Sequence, residues 1–261
     1  MAHKVYEFDR AIVRLPASSV TAGLRAVDRG SPTLAGVHSE HAAYVAALRE
    51  ADLEVDILPP LEEFPDSIFV EDPALVFSAG AIVLRPGTPS RVDEAHTIEP
   101  VLRRHFERVL RLPRGYVDGG DVLRLPGKVM IGLSARTTGE GAAALIECLA
   151  ELGETGVIVR TPDDVLHFKS DCSLLDEHTM LSTQRLSASG VFSGLKEIIV
   201  PAGEEAAANA LRVNDRVFVG AQYPVTIGLL REAGYKVVSL QTSEIGKIDA
   251  GLSCMSLRWH R

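Results

Sequence analysis

Gly251-Leu252-Ser253-Cys254-Met255-Ser256-Leu257 is the last of five segments built alike. Each has a polar or acidic approach, a pivot residue, and then an apolar strand. The others are Phe69-Val70-Glu71-Asp72 before Pro73-Ala74-Leu75-Val76, and Asp118-Gly119-Gly120-Asp121 before Val122-Leu123. Next come His167-Phe168-Lys169-Ser170-Asp171 before Cys172-Ser173-Leu174-Leu175, and Val213-Asn214-Asp215 before Arg216-Val217-Phe218-Val219. The pivots Asp72, Asp121, Asp171, Asp215 and Cys254 are 49, 50, 44 and 39 residues apart. A period of that size indicates a radial or stacked repeat architecture, because one such unit cannot bury its apolar face alone. If the units close around an axis, every pivot loop faces one centre. That centre gathers Glu71, Asp72, Asp118, His167 and Cys254: carboxylates, an imidazole and a thiol.

Outward from the pivots, strand and helix signals alternate. Ala11–Arg14 reads as a strand, His41, Tyr44, Val45 and Leu48 stand at helical spacing, and Val55–Leu58 follows as a strand. Strands are expected over Ile68–Phe77 and Ala81–Leu84, with a turn at Ser78-Ala79-Gly80, then a helix over Glu94–Val109. The pattern repeats with strands Asp121–Leu125 and Val129–Leu133, a helix over Ala142–Leu152 stopped by Gly153, and strand Gly156–Arg160. It repeats again with strands Cys172–Leu175 and Thr179–Ser182, a short helix near Gly190–Leu195, and strand Ile198–Val200. A fourth unit has strand Arg216–Gly220, helix Val225–Ala233 and strand Tyr235–Leu240. Each unit is hairpin, helix, strand. The fifth owns only the strand after Cys254, and Ala11–Arg14 can supply its partner. The chain therefore reads as one α/β domain, 1–261, a five-bladed pseudo-symmetric α/β propeller closed by its N- and C-terminal strands.

The 261 residues are 46% apolar, enough for a sizeable core. No apolar run reaches the roughly 18 residues that span a membrane. The start, Met1-Ala2-His3-Lys4-Val5-Tyr6-Glu7, lacks the apolar stretch of a secretion signal, so a cytoplasmic location is expected. Three cysteines at irregular spacing argue against a disulfide framework and a zinc site. Cys148, in an Ala-rich helix, and Cys172, at a strand start, read as core packing. A net charge of −8 without a basic cluster excludes nucleic acid and anionic membranes as expected partners. An acidic centre suits a small cationic ligand. The oligomeric state is open, a homodimer being compatible with the chain. In Gly119-Gly120, two glycines between aspartates permit positive φ and close backbone approach, a tight turn that also aims Asp118.

These motifs resemble the dimethylarginine dimethylaminohydrolases of the guanidine-modifying, five-bladed α/β-propeller superfamily. The resemblance runs through Leu15-Pro16-Ala17-Ser18, Pro65–Asp72, Arg85-Pro86-Gly87, Asp118–Asp121, Gly132–Thr137, Leu166–Ser170 and Gly251–Cys254. It implies hydrolysis of a methylated guanidinium to citrulline and an alkylamine, without metal or organic cofactor. In that pattern Cys254 matches the nucleophile, His167 the general acid/base, and Asp118 the acid that orients the histidine. Asp72 and Glu71 match positions at the guanidinium end. Asp66 and the carbonyl of Leu24 match contacts to the α-amino group, and Arg85 and Arg136 contacts to the α-carboxylate. Ile248 matches a backbone contact near the guanidinium. The loop Asp249-Ala250-Gly251-Leu252-Ser253 departs from the family pattern.

The residue types suit that chemistry. A guanidinium is cationic and a poor electrophile, and carboxylates fix its plane through charge-assisted hydrogen bonds. The nucleophile must be a thiolate, only a few per cent of a free cysteine at neutral pH. The cationic substrate or a protonated His167 would favour that form. The departing amine needs a proton, which an imidazole can donate before accepting one from water. An arginine deiminase would carry an inserted helical domain, for which the 49-residue gap between Asp72 and Asp121 leaves no room. A non-catalytic five-bladed binding module would lack the cysteine, histidine and acid together.

Overall fold

The computed structural model describes residues 3–25, 27–162, 165–249 and 251–261. Met1 and Ala2 of the N-terminal stretch read above, and Ala250 of the loop before Cys254, lie outside them. The described residues form fifteen strands in five three-stranded sheets. The first sheet joins β3 (Ala74–Phe77), β4 (Gly80–Val83) and β5 (Val109–Arg111), and the second β6 (Val122–Leu125), β7 (Lys128–Leu133) and β8 (Gly156–Arg160). The third joins β9 (Cys172–Leu174), β10 (Thr179–Ser182) and β11 (Lys196–Ile199), and the fourth β12 (Leu211–Val213), β13 (Arg216–Gly220) and β14 (Lys236–Leu240). The fifth takes β15 (Leu257–Trp259) from one end of the chain and β1 (Arg10–Arg14) and β2 (Glu54–Leu58) from the other. In every sheet the inner pair is antiparallel and the third strand returns parallel after a helix. The helices are α1 (Leu34–Glu50), α2 (Glu94–His105), α3 (Gly139–Glu151), α4 (Gln184–Ala188) and α5 (Pro224–Glu232). The fold is thus the five-bladed α/β propeller that the repeat indicates.

Packing explains why the central strands read as continuous apolar runs. Successive side chains of a strand face opposite sides. Here each side faces a different core. In β4, Ile82 joins the core shared with the second sheet, while Ala81 and Val83 join the core shared with the fifth. In β7, Val129 and Ile131 turn one way and Met130 the other. Phe218 in β13 and Ile12 in β1 divide from their neighbours in the same manner. Five cores between five sheets close the ring, and a strand buried on both faces carries no polar alternation.

Several sequence expectations need correction. Only the end of Ile68–Phe77 is a strand, because Phe69 N–H and Asp72 N–H bond back to the carbonyls of Asp66 and Phe69 as turns. The helix expected to reach Val109 stops at His105, and Phe106 is extended (φ −128°, ψ 132°), so that Val109–Arg111 can pair with β4. The helix placed near Gly190–Leu195 lies earlier, at Gln184–Ala188, where Thr183 accepts the N–H of Leu186 as a cap. Gly190 (φ 72°) and Gly194 (φ 89°) turn the chain where the helix was expected. Asp215 is not a central pivot. It sits at the tip of the β12–β13 hairpin, where Asn214 is left-handed (φ 52°), and it pairs with Lys236.

The true fourth pivot is Asn209. Five equivalent turns lead into the five inner strands. In each, the pivot N–H bonds to the carbonyl three residues back. The pairs are Asp72 to Phe69 (3.4 Å), Asp121 to Asp118 (3.0 Å), Asp171 to Phe168 (3.3 Å), Asn209 to Ala206 (3.3 Å) and Cys254 to Gly251 (3.3 Å).

Candidate active site

The turns that carry Asp72, Asp118 and Cys254 open on one cavity of ≈ 160 Å³, lined also by Leu24, Asp66, Arg136, His167 and Ile248. Eight residues far apart in sequence therefore meet, and among them Asp72, Asp118, His167 and Cys254 are those the repeat places at its centre. Arg25, Phe69, Arg91, Leu166 and Asp249 complete the walls. Two expected residues stand elsewhere. The Arg85 guanidinium leaves β4 over the ring of Tyr116, 5.2 Å from its centroid, outside the cavity lining. Arg91 occupies the cavity instead, delivered by the short turn Pro89–Arg91. Glu71 also lies off the cavity. Its carboxylate is held by Lys169 Nζ (2.6 Å), Arg258 Nη2 (3.3 Å) and the Ser253 hydroxyl (3.2 Å). There it borders a second cavity of ≈ 140 Å³, lined by residues of the inner strands.

The His167 imidazole and the Asp118 carboxylate are joined at 3.0 Å, Nε2 to Oδ2. The Gly87 N–H bonds the other oxygen of Asp118 at 2.7 Å, and Thr137 Oγ1 receives the Asp118 N–H. Burial alone would lower the imidazole. The Asp118 hydrogen bond and the Asp72 and Asp121 carboxylates outweigh it and raise its pKa from 6.5 to about 9. His167 is therefore an imidazolium at neutral pH, pinned on one nitrogen. Asp121 does not reach the cavity. It accepts the Phe168 N–H (2.9 Å) and the Ser134 and Thr137 hydroxyls (both 2.6 Å), so it ties the histidine loop to the Arg136 loop.

Gly119 and Gly120 are required by contact, not by positive φ. A Cβ on Gly119 would lie 1.9 Å from the Glu71 carbonyl oxygen, and one on Gly120 would lie 2.9 Å from His167 Cγ. The glycines let two pivot loops and the imidazole ring stack at backbone distance.

At the acidic end, Asp72 is bonded by Arg91 and by the Gly120 N–H (3.3 Å). Burial pushes its carboxyl up, but Arg91, with His167 and Lys169, outweighs this and holds it below the usual range. Burial likewise raises Asp66, partly offset by Arg91 and by the Leu24 N–H bonded at 3.0 Å. Arg91 also bonds both oxygens of Glu94 and the carbonyls of Asp66 and Phe69. Cys254 is half-buried. Burial first, then the Glu71 and Asp72 carboxylates, push its thiol up to about 11, so it rests protonated. The ligating atoms of Asp72, Asp118 and His167 lie within 4.8 Å of one another. The two carboxylates there can bind a cationic side chain through charge-assisted hydrogen bonds.

The cavity thus has a carboxylate-rich end beside a thiol and an imidazolium, and a mixed end with Asp66, Arg91 and Arg136. It can receive a zwitterionic amino acid with a cationic side chain. Sequence reasoning missed Arg91, Lys169 and Asn209. Arg91 falls outside the repeat, and only Pro89 marks its turn. Lys169 lies within a quoted motif and could have been paired with Glu71 by charge. Asn209 was hidden by taking a hairpin tip for a pivot.

The family model described as arginine deiminase matches residues 59–197. A dimethylarginine dimethylaminohydrolase of Pseudomonas aeruginosa is 40% identical over 254 residues, covering 97% of this chain and all of the relative. A solved structure of the Pseudomonas aeruginosa enzyme, a cysteine-to-serine mutant complexed with citrulline, superposes with TM-score 0.94 at 39% identity, covering 97% of this chain and 100% of that one. Another, a histidine-to-glycine variant of a dimethylarginine dimethylaminohydrolase as its adduct with S-methyl-L-thiocitrulline, gives TM-score 0.93 at 40% identity, covering 96% and 99%.

Proposed function

This chain belongs to the dimethylarginine dimethylaminohydrolase family, and on that premise we propose that it hydrolyses N-omega-methylated arginine to citrulline and an alkylamine. The observation that carries the reading is the Asp118-bound imidazolium sharing one cavity with the Cys254 thiol. The guanidinium docks against Asp72, its charge favours the thiolate of Cys254, and the thiol proton passes to solvent. Sγ attacks the guanidinium carbon and forms a C–S bond. His167 gives its proton to the methylated nitrogen, the C–N bond breaks, and the amine leaves a thiouronium on Cys254. Water then attacks the same carbon and yields its proton to the now neutral His167. The C–S bond breaks, the hydroxyl proton passes to the departing thiolate, and citrulline is released. Asp118 holds the ring and stabilises its protonated form at both proton transfers. Arg136 and Arg91 take the α-carboxylate, Asp66 and the Leu24 loop the α-amino group, and Ile248 walls the guanidinium end. Glu71 acts from beneath, fixing Ser253 next to the nucleophile.

Citrulline release from asymmetric dimethylarginine, monomethylarginine, arginine and agmatine, assayed side by side, tests the reading. Turnover of the methylated arginines well above that of arginine is expected. Faster turnover of arginine would make the chain a deiminase, and no citrulline from any of them would make it a binding module.

A further inference from the structure

The nucleophile's loop lies on the side-chain amide of Asn209, the pivot that leads into β12. Asn209 Oδ1 accepts the Ser253 N–H at 3.2 Å, and Nδ2 stands 3.8 Å from Cys254 Sγ. The orientation of the amide follows from its neighbours: the Ser253 N–H is a donor, so the oxygen must face it and the NH₂ must face the sulfur. Gly251 completes the fit. A Cβ there would stand 2.1 Å from Asn209 Cγ and 2.4 Å from Nδ2, so the loop can lie against the amide only with glycine at this position. The Ser253 hydroxyl is the other group near the sulfur, at 3.9 Å, but its single proton is directed to Glu71 Oε2 at 3.2 Å. Two N–H groups then face Sγ: the Asn209 amide and the Gly251 backbone N–H, which itself favours the thiolate. The rest of the sulfur's surroundings oppose a thiolate more than they favour it. The Glu71 and Asp72 carboxylates oppose it, and Lys169 favours it only weakly behind Glu71, while His167 faces it across the cavity.

We propose that Asn209 is a positioning residue for the nucleophile, fixing the Ser253-Cys254 backbone through its oxygen and favouring the thiolate through its N–H. This deepens the reading of Cys254 as nucleophile and rests on it. Two functions on one amide make two separable losses. Asn209→Asp keeps shape and the acceptor for Ser253 but turns a donor into a carboxylate beside the sulfur. Asn209→Ala loses both contacts yet adds no charge.

The test is the pH dependence of Cys254 alkylation by iodoacetamide, read by mass spectrometry of the Cys254 peptide, with kcat, KM and Tm for each variant. For Asn209→Asp the alkylation midpoint should rise by about 1 to 3 pH units, as a like charge next to an ionising group does. Its kcat should fall about 100-fold, with KM within about threefold, the pattern of a lost donor at a reacting atom. Asn209→Ala should shift the midpoint less than Asn209→Asp. It carries the same readouts if the aspartate variant does not fold. An unmoved midpoint in folded variants, a loss confined to KM, or a lower Tm with wild-type kcat and alkylation overturns the proposal. Cys254→Ser, run alongside, separates it from the reading beneath it. If that variant stays active, the nucleophile assignment fails and Asn209 loses its role with it. If it is inactive while Asn209→Asp alkylates like wild type, only the role of Asn209 falls.

Discussion

His167 carries its proton because three carboxylates surround it, and that fixes the sign of two pH effects. Its folded pKa of about 9 stands above the unperturbed 6.5. The stabilisation from its pairing is therefore fully present below pH 6.5 and lost as pH rises through about 9. Asp118→Asn should lower Tm most at pH 6, and the deficit should shrink to nothing above about pH 9.5. Melting curves of both proteins across that range check it. The same substitution lets the imidazole relax toward 6.5, so the alkaline limb of kcat should move down and the rate deficit should widen from pH 6 to pH 8. A pH-independent deficit would show that Asp118 serves shape alone. At the other end of the cavity, Arg136→Ala should cost about 2 kcal/mol or more in kcat/KM for dimethylarginine. It should cost far less for a guanidine lacking the α-carboxylate, and equal losses for both would make Arg136 structural.

The strand-to-turn unit, more than any single residue, builds the site. Each turn closes one backbone hydrogen bond, then releases the chain into a strand whose two faces are claimed by two cores. Gly119 and Gly120 test this unit separately. Gly119→Ala meets a backbone carbonyl that cannot yield, so it should destabilise the fold by about 1–3 kcal/mol as well as lower activity. Gly120→Ala meets a side chain, the His167 ring, and should lower kcat with a smaller change in Tm. Equal melting losses would contradict the distinction. Strands such as Gly156–Arg160 and Thr179–Ser182 were legible to the residue, because glycine, charge and short apolar runs bound them on both sides. The start of β12 was not. Leu211–Val213 follows Ala206–Ala210, a stretch in which a single asparagine among alanines, with no glycine or acid, marks the turn. Arg91 was illegible for a different reason: its partners Asp72, Asp66 and Glu94 come together only after the turn at Pro89 forms.

Across the whole molecule, the ring is completed by strands from opposite ends of the sequence. Arg10, Ala11 and Ile12 pair with Trp259, Arg258 and Leu257, and the Asp9 N–H bonds the Trp259 carbonyl at 3.2 Å. Deleting residues 257–261 should abolish cooperative melting, because it opens the core that holds Ile12, Leu257 and Trp259 and leaves β1 as a bare edge. A circular permutant that links the old ends and opens the chain at Pro126-Gly127, in the β6–β7 turn, should melt cooperatively and keep citrulline release. A stable deletion mutant or an unfolded permutant would contradict closure as the source of stability. This closure was readable in the sequence, since five inner-strand signals were matched by only four following strands until Ala11–Arg14 was counted.

The central claim is that Cys254 attacks the guanidinium carbon and carries it through the reaction. Acid-quenched turnover of dimethylarginine, followed by peptide mass spectrometry, reads it directly. An increment corresponding to the amino-acid thiouronium should appear on the Cys254 peptide. It should accumulate in His167→Gly given an analogue whose leaving group needs no proton, since only hydrolysis is then slowed, and vanish in Cys254→Ser together with at least about 10⁴-fold of turnover. An adduct on Cys148 or Cys172, or a Cys254→Ser variant that still releases citrulline, would contradict it.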